Sequence, residues 1–126
     1  MSYRGVVIQE SLKDPSVLRD VVILATKIEP VTEAHKTPWV QQWTLHTVEV
    51  ADDSAEAVAQ KLSTAIDQSR QGHWYADFKD ARTHYIIFRH KIFRIDRKRQ
   101  NYDAPKRYGL ALGIPEYQLD FSPDIP

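Results

Sequence analysis

Four side chains able to share one chemistry sit on strand-like stretches: His46, Tyr75, Asp77 and His84. An imidazole changes charge near neutral pH, and a carboxylate within reach fixes its tautomer and raises its basicity. A tyrosine phenol adds a group that both donates and accepts. This set is the candidate binding site for a small-molecule ligand beside a sheet. Strand register decides whether the four can meet. If the turn over 79–83 leaves Phe78 opposite His84, Asp77 faces away with Tyr85 and the pair fails; a slip of one residue brings Asp77 and His84 together. The competing reading makes both histidines ordinary half-buried sheet residues.

A second candidate is the basic segment 89–107, which holds 8 basic and 2 acidic residues for a local charge of +6. Residues 1–88 and 108–126 carry −3 each. Arg97, Lys98, Arg99, Lys106 and Arg107 lie before or within the first turn of a helix-like stretch. Cations there oppose the positive end of the helix dipole, an arrangement that an anion would relieve. Phosphate or nucleic-acid backbone would suit, with Tyr102 and Tyr108 offered for base stacking. The competing reading is a solvated charge run. A net charge of zero argues against non-specific nucleic-acid binding by the whole surface.

Other chemistries find little support. The five histidines fall at 35, 46, 73, 84 and 90, with no i, i+2 or i, i+4 pair to chelate a metal. No metal or cofactor is assigned. With no cysteine there is no thiolate nucleophile, disulfide or cysteine-ligated metal. No G-x-S-x-G or glycine-rich phosphate loop occurs, and no carboxylate pair stands out for glycoside chemistry. No catalytic residue is assigned, and whether the protein is an enzyme stays open.

The supporting frame is ordinary in composition. A chain of 126 residues, 42% hydrophobic and 27% charged, fits one globular domain over 1–126. No apolar run reaches the roughly 20 residues that cross a bilayer. No signal-peptide pattern opens the chain, so the default location is cytoplasmic.

Along the chain, Arg4–Glu10 reads as a strand, and Asp14-Pro15 starts a short helix through Asp20. Val21–Ile28 is apolar on both faces at its start, which predicts a central strand. Residues 29–38 form a proline-bracketed loop. Trp39–Val50 alternates, with Trp43, Leu45 and Thr47 opposing Thr44, His46, Val48 and Val50. Asp53–Glu56 resembles a capping box opening a helix. That helix sets Ala55, Val58, Leu62, Ala65, Ile66 and Ser69 inward, with Glu56, Gln60, Ser63, Asp67 and Arg70 toward water, and Gly72 stops it.

The densest aromatic and β-branched stretch is 73–99. It predicts strands near 74–78, 84–88 and 92–96, with Arg89-His90-Lys91 as a turn wider than two residues for want of glycine. A second helix is predicted from about Ala104 to Leu112, stopped at Gly113, and an edge strand over Tyr117–Phe121. The sum is an α+β two-layer sandwich: a mainly antiparallel sheet with two principal helices on one face. From residue 43 the order is ferredoxin-like, with an N-terminal two-strand extension.

The helix-free face would expose Trp39, Trp43 and several tyrosines, more aromatic surface than a small monomer leaves wet. A homodimer burying that face is expected, or a ligand cleft lined by the same residues. Three functions compete. They are a small-ligand binder, an anion or nucleic-acid module using the basic segment, and a structural or regulatory interaction protein without a pocket.

Overall fold

The computed structural model describes residues 2–33, 41–67, 74–119 and 121. Six strands, β1 (Ser2–Ile8), β2 (Val22–Pro30), β3 (Gln42–Ala51), β4 (Ala76–Lys79), β5 (Thr83–Phe88) and β6 (Lys91–Asp96), make one sheet. Their order is β2-β3-β1-β4-β5-β6, and every neighbouring pair is antiparallel. Two helices accompany it, α1 (Ala55–Ala65) and α2 (Asp103–Ala111).

The class is α+β, but the strand order is not ferredoxin-like. The N-terminal β1 is no extension; it lies between β3 and β4, pairing with both. Since β1 is antiparallel to each, β3 and β4 run parallel, and α1 carries the chain over β1 between them. After α2 the chain forms a 3-10 turn, Glu116–Gln118, and not the edge strand expected over Tyr117–Phe121.

The helices do not share a face. In β5 the side chains alternate: Tyr85 and Ile87 pack with Val58 and Leu62 of α1, while Ile86 and Phe88 pack with Tyr102, Tyr108 of α2, Ile114 and Phe121. The sheet is therefore covered on one side by α1 and, over its β4-β5-β6 half, on the other by α2 and the segment after it. A two-helix layer on a single face fails because β5 is apolar on both faces, and each face requires its own cover.

Of the predicted inner stripe of α1, residues 55, 58, 62, 65 and 66 are buried; Ser69 and the stop at Gly72 lie outside the described residues. Ser63, expected to face water, is buried and donates to the Phe88 carbonyl at 2.8 Å, tying α1 to the end of β5. The helix is entered through a 3-10 turn at Asp52–Ser54 with no side-chain cap, so the capping box is not made. It ends where Ile66 turns extended and bridges Leu12. Ahead of β2, Asp14 does cap the Pro15–Asp20 turn, accepting from the Ser16 N–H at 3.0 Å, and that bond holds its pKa below the usual carboxylate value.

Two turns set the registers around the candidate site. Between β4 and β5, the Asp80 carboxylate accepts from Arg82 and Thr83 N–H groups at 2.8 and 2.7 Å, and Asp80 N–H donates to the Thr83 carbonyl. Only Ala81 and Arg82 are left at the tip. Between β5 and β6 the turn is tight and not the wider loop expected: Phe88 pairs with Lys91, and His90 takes φ 57°, a conformation that glycine favours. The largest departure is β2. The run expected at the centre lies on the edge, with Val22 57% and Ile28 58% exposed.

Candidate functional site

The sheet face bearing α2 is left open over β3, β1 and β4, and a cavity of about 340 Å³ lies there. Ladder partners share a face, so Ile8 with Leu45 and Val6 with Asp77 form its floor. Trp43 from β3, Trp74 and Tyr75 from the approach to β4, and Tyr117 from the C-terminal turn are its aromatic walls. Trp43 and Trp74 touch at a centroid distance of 5.4 Å with planes tilted by 56°. The Tyr75 hydroxyl donates to the Gln118 carbonyl, which fastens the 116–118 turn over the sheet as one side of the cavity. Glu29 from β2 and Asp77 from β4 supply the carboxylates.

Behind Asp77 stands a buried polar chain. His84 is fully buried; its Nε2 lies 2.7 Å from Asp77 Oδ2 and its Nδ1 2.9 Å from the Tyr102 hydroxyl. An ionised carboxylate only accepts, so Nε2 carries the proton toward Asp77, and the phenol can then donate to Nδ1. Phe121 packs edge-on to the imidazole at 6.3 Å. Asp77, with 20% of its side chain exposed, is the end of this chain that meets the cavity. His84 therefore orients and hydrogen-bonds the carboxylate from behind; a ligand in the cavity meets Asp77 first. The strand register that permits this sets Phe78 opposite Tyr85 and Lys79 opposite His84, so Asp77 and His84 are diagonal neighbours on one face.

Of the four predicted residues, Tyr75, Asp77 and His84 fall on one face, the first two lining the cavity. His46 does not join them. It pairs with Val7, whose neighbour Val6 pairs with Asp77, so it points to the opposite face. There its Nδ1 lies 2.9 Å from Thr26 Oγ1 and its Nε2 2.7 Å from Gln9 Oε1. Both ring nitrogens are thus satisfied inside the fold, which is the structural role of a buried sheet histidine. Close by, Glu10 accepts from the Thr44 N–H at 2.6 Å and from the Thr44 hydroxyl at 2.7 Å, pinning the 9–11 turn to β3.

The residues of the basic segment differ in exposure and partners. Arg97 donates to the Asp80 carbonyl at 3.2 Å, bracing the β4–β5 turn. Lys98, Arg99 and Arg107 are exposed and Lys106 is half-buried. Asp96 sits among them, accepting from the Lys98 N–H and from the Asn101 amide. The tyrosines expected to stack on bases are engaged inside the fold: Tyr102 is buried against His84, and Tyr108 packs on Phe88 and Phe93 at 4.9 and 5.7 Å. Among the described residues no group of three or more His, Asp or Glu side chains converges as a metal site, and no helix is long and apolar enough to cross a membrane.

Sequence reasoning missed Glu29, Trp74, Tyr117 and Gln118 as cavity walls. Alternation did set Trp43 and Leu45 on one face, and Trp43 was expected at a cleft, but nothing local brings the C-terminal turn over β4.

Comparison with known proteins finds no matching family model, no matching curated protein and no matching solved structure. Function must then be argued from the site itself.

Proposed function

We propose that the protein binds a small ligand carrying an organic ammonium or other cationic group in the aromatic cavity over β3, β1 and β4. The carrying observation is the lining: two carboxylates, Glu29 and Asp77, among Trp43, Trp74, Tyr75 and Tyr117, with no lysine, arginine or histidine among the described lining residues. A cation gains from the faces of such rings, most from tryptophan, and from a partly desolvated carboxylate beside them. Glu29 is already paired with Lys27 at 3.4 Å, so Asp77 is the carboxylate chiefly offered to a cation, and an anion is disfavoured beside it. Asp77 is positioned for the task by His84, which holds one carboxylate oxygen at 2.7 Å. The volume, about 340 Å³, sits at the small end of ligand pockets. The proposal is one of binding, with no reaction assigned to these side chains.

Tryptophan fluorescence reports on Trp43 and Trp74 directly. Titration with choline, with its uncharged carbon isostere 3,3-dimethylbutanol and with acetate should give saturable change for choline, weaker change for the isostere and none for acetate. Asp77→Asn should weaken choline binding about tenfold, equivalent to about 1.4 kcal/mol. Equal affinity for choline and its isostere, or for wild type and Asp77→Asn, would remove the cationic reading.

A further inference from the structure

Strand β2 combines an open backbone edge with apolar surface. It occupies one end of the sheet, with β3 on one side and no described element on the other. Four of the seven large apolar residues exposed in the described structure lie on this strand: Val22, Ile23, Leu24 and Ile28. The opposite edge shows what protection looks like. There β6 exposes Lys91, Arg94 and Asp96, while Ile92, Phe93 and Ile95 are partly covered. Charged side chains of that kind keep an edge from pairing with another chain. On β2 the only charges are Lys27 and Glu29, which neutralise each other at 3.4 Å.

We propose that two copies of this chain pair antiparallel through β2, making one continuous sheet across the dimer. An open edge calls for a strand, and this strand, apolar on both sides, calls for a partner with the same property. Its own second copy supplies that partner with no net charge to repel it. Antiparallel self-pairing also closes about a two-fold axis, so assembly stops at two. The bulge between Ile23 and Ala25 constrains the register, because it shifts the faces of the residues before it. With Thr26 on the axis, Leu24 of each copy lies across from Ile28 of the other, on the α1 side. On the cavity side, the same register sets Val22 of one copy across from Glu29 of the other. The second copy thereby extends the rim of the ligand cavity, which Glu29 lines. This differs from a dimer formed by burying a sheet face, since both faces near β5 already carry cover from the chain itself.

Sedimentation equilibrium of the full chain at about 100 μM should give twice the chain mass of 14.6 kDa. Leu24→Lys and Ile28→Glu, both at exposed positions, should return a monomer with unchanged circular dichroism; Leu110→Lys, exposed on α2, should leave the dimer intact. Because the chain has no cysteine, Thr26→Cys places a single thiol per copy near the axis, and mild oxidation should cross-link the dimer. Wild-type protein sedimenting at the monomer mass overturns the proposal. So does a dimer that survives both β2 variants, or one that fails to cross-link through Thr26→Cys.

Discussion

Replacing Gly5 by alanine should be among the most damaging single changes in this fold, although it adds only a methyl group. Gly5 lies in β1 between Val48 of β3 and Phe78 of β4. A Cβ built there falls 1.8 Å from the Asp77 carbonyl oxygen and 2.5 Å from Phe78 Cα, all main-chain atoms of the neighbouring strand. Ordinary contact begins near 3.4 Å, so β4 must recede by about 1.6 Å. A hydrogen bond near 2.9 Å stretched that far is lost. The ladder at risk is short: Arg4–Lys79, Gly5–Phe78 and Val6–Asp77. Overpacking of about 1–3 kcal/mol, together with two or so ladder bonds at about 1 kcal/mol each, predicts a loss of about 3–5 kcal/mol. Against a total stability of about 5–15 kcal/mol this is a large fraction. Urea unfolding followed by circular dichroism should show the midpoint falling by about 1.5 M or more, taking a slope of roughly 2 kcal/mol per M. The same shift moves Asp77, so cavity binding should weaken under native conditions. A midpoint within about 0.3 M of wild type would refute the close approach of β1 and β4.

Two further changes test local features. His90 holds φ 57° at the β5–β6 turn, where a Cβ is unfavourable; His90→Gly should stabilise by about 0.5–1 kcal/mol in the same urea assay, and a loss of stability would count against that turn geometry. Tyr85 has its hydroxyl proton held more tightly than a free tyrosine, chiefly through burial, with nearby Arg94 opposing and Glu56 adding to the effect. Its folded value lies above the ordinary 10.0, so its contribution is complete below about pH 10 and fades as the pH rises through the folded value. Tyr85→Phe should flatten the alkaline fall in stability; an unchanged slope above pH 10 would show that other groups carry it.

Much of the element list was legible, because periodicity reports burial. The alternation of 43–50, the helical stripe of 55–66 and the helix over 103–111 follow directly from which side chains must leave water. What periodicity cannot report is which partner does the burying. The run Val21–Ile28 has the composition of a central strand, yet it lies at an edge, since a strand's own residues do not say how many neighbours it will pair with. The interleaved apolar residues of β5 did signal burial on both faces. They did not say that α2 would take the face opposite α1, because that depends on where the connection through residues 97–102 leads.

The Asp77–His84 pair shows how a long-range arrangement can hang on a short-range one. Alternation made the two residues compatible, but register decided whether they met, and register here belongs to the β4–β5 turn. Asp80 fixes that turn by accepting from two of its N–H groups, and Arg97 braces it from β6's end through the Asp80 carbonyl. A turn one residue longer would rotate Asp77 away from His84, leaving a buried imidazole without its acceptor and the cavity with a carboxylate held by nothing behind it. His46, equally plausible by residue type, was excluded by parity alone: an even-numbered place on β3 points it at Thr26 and Gln9. Residue type therefore nominates candidates, while turn length and strand parity, which cost the sequence only a residue or two, choose among them.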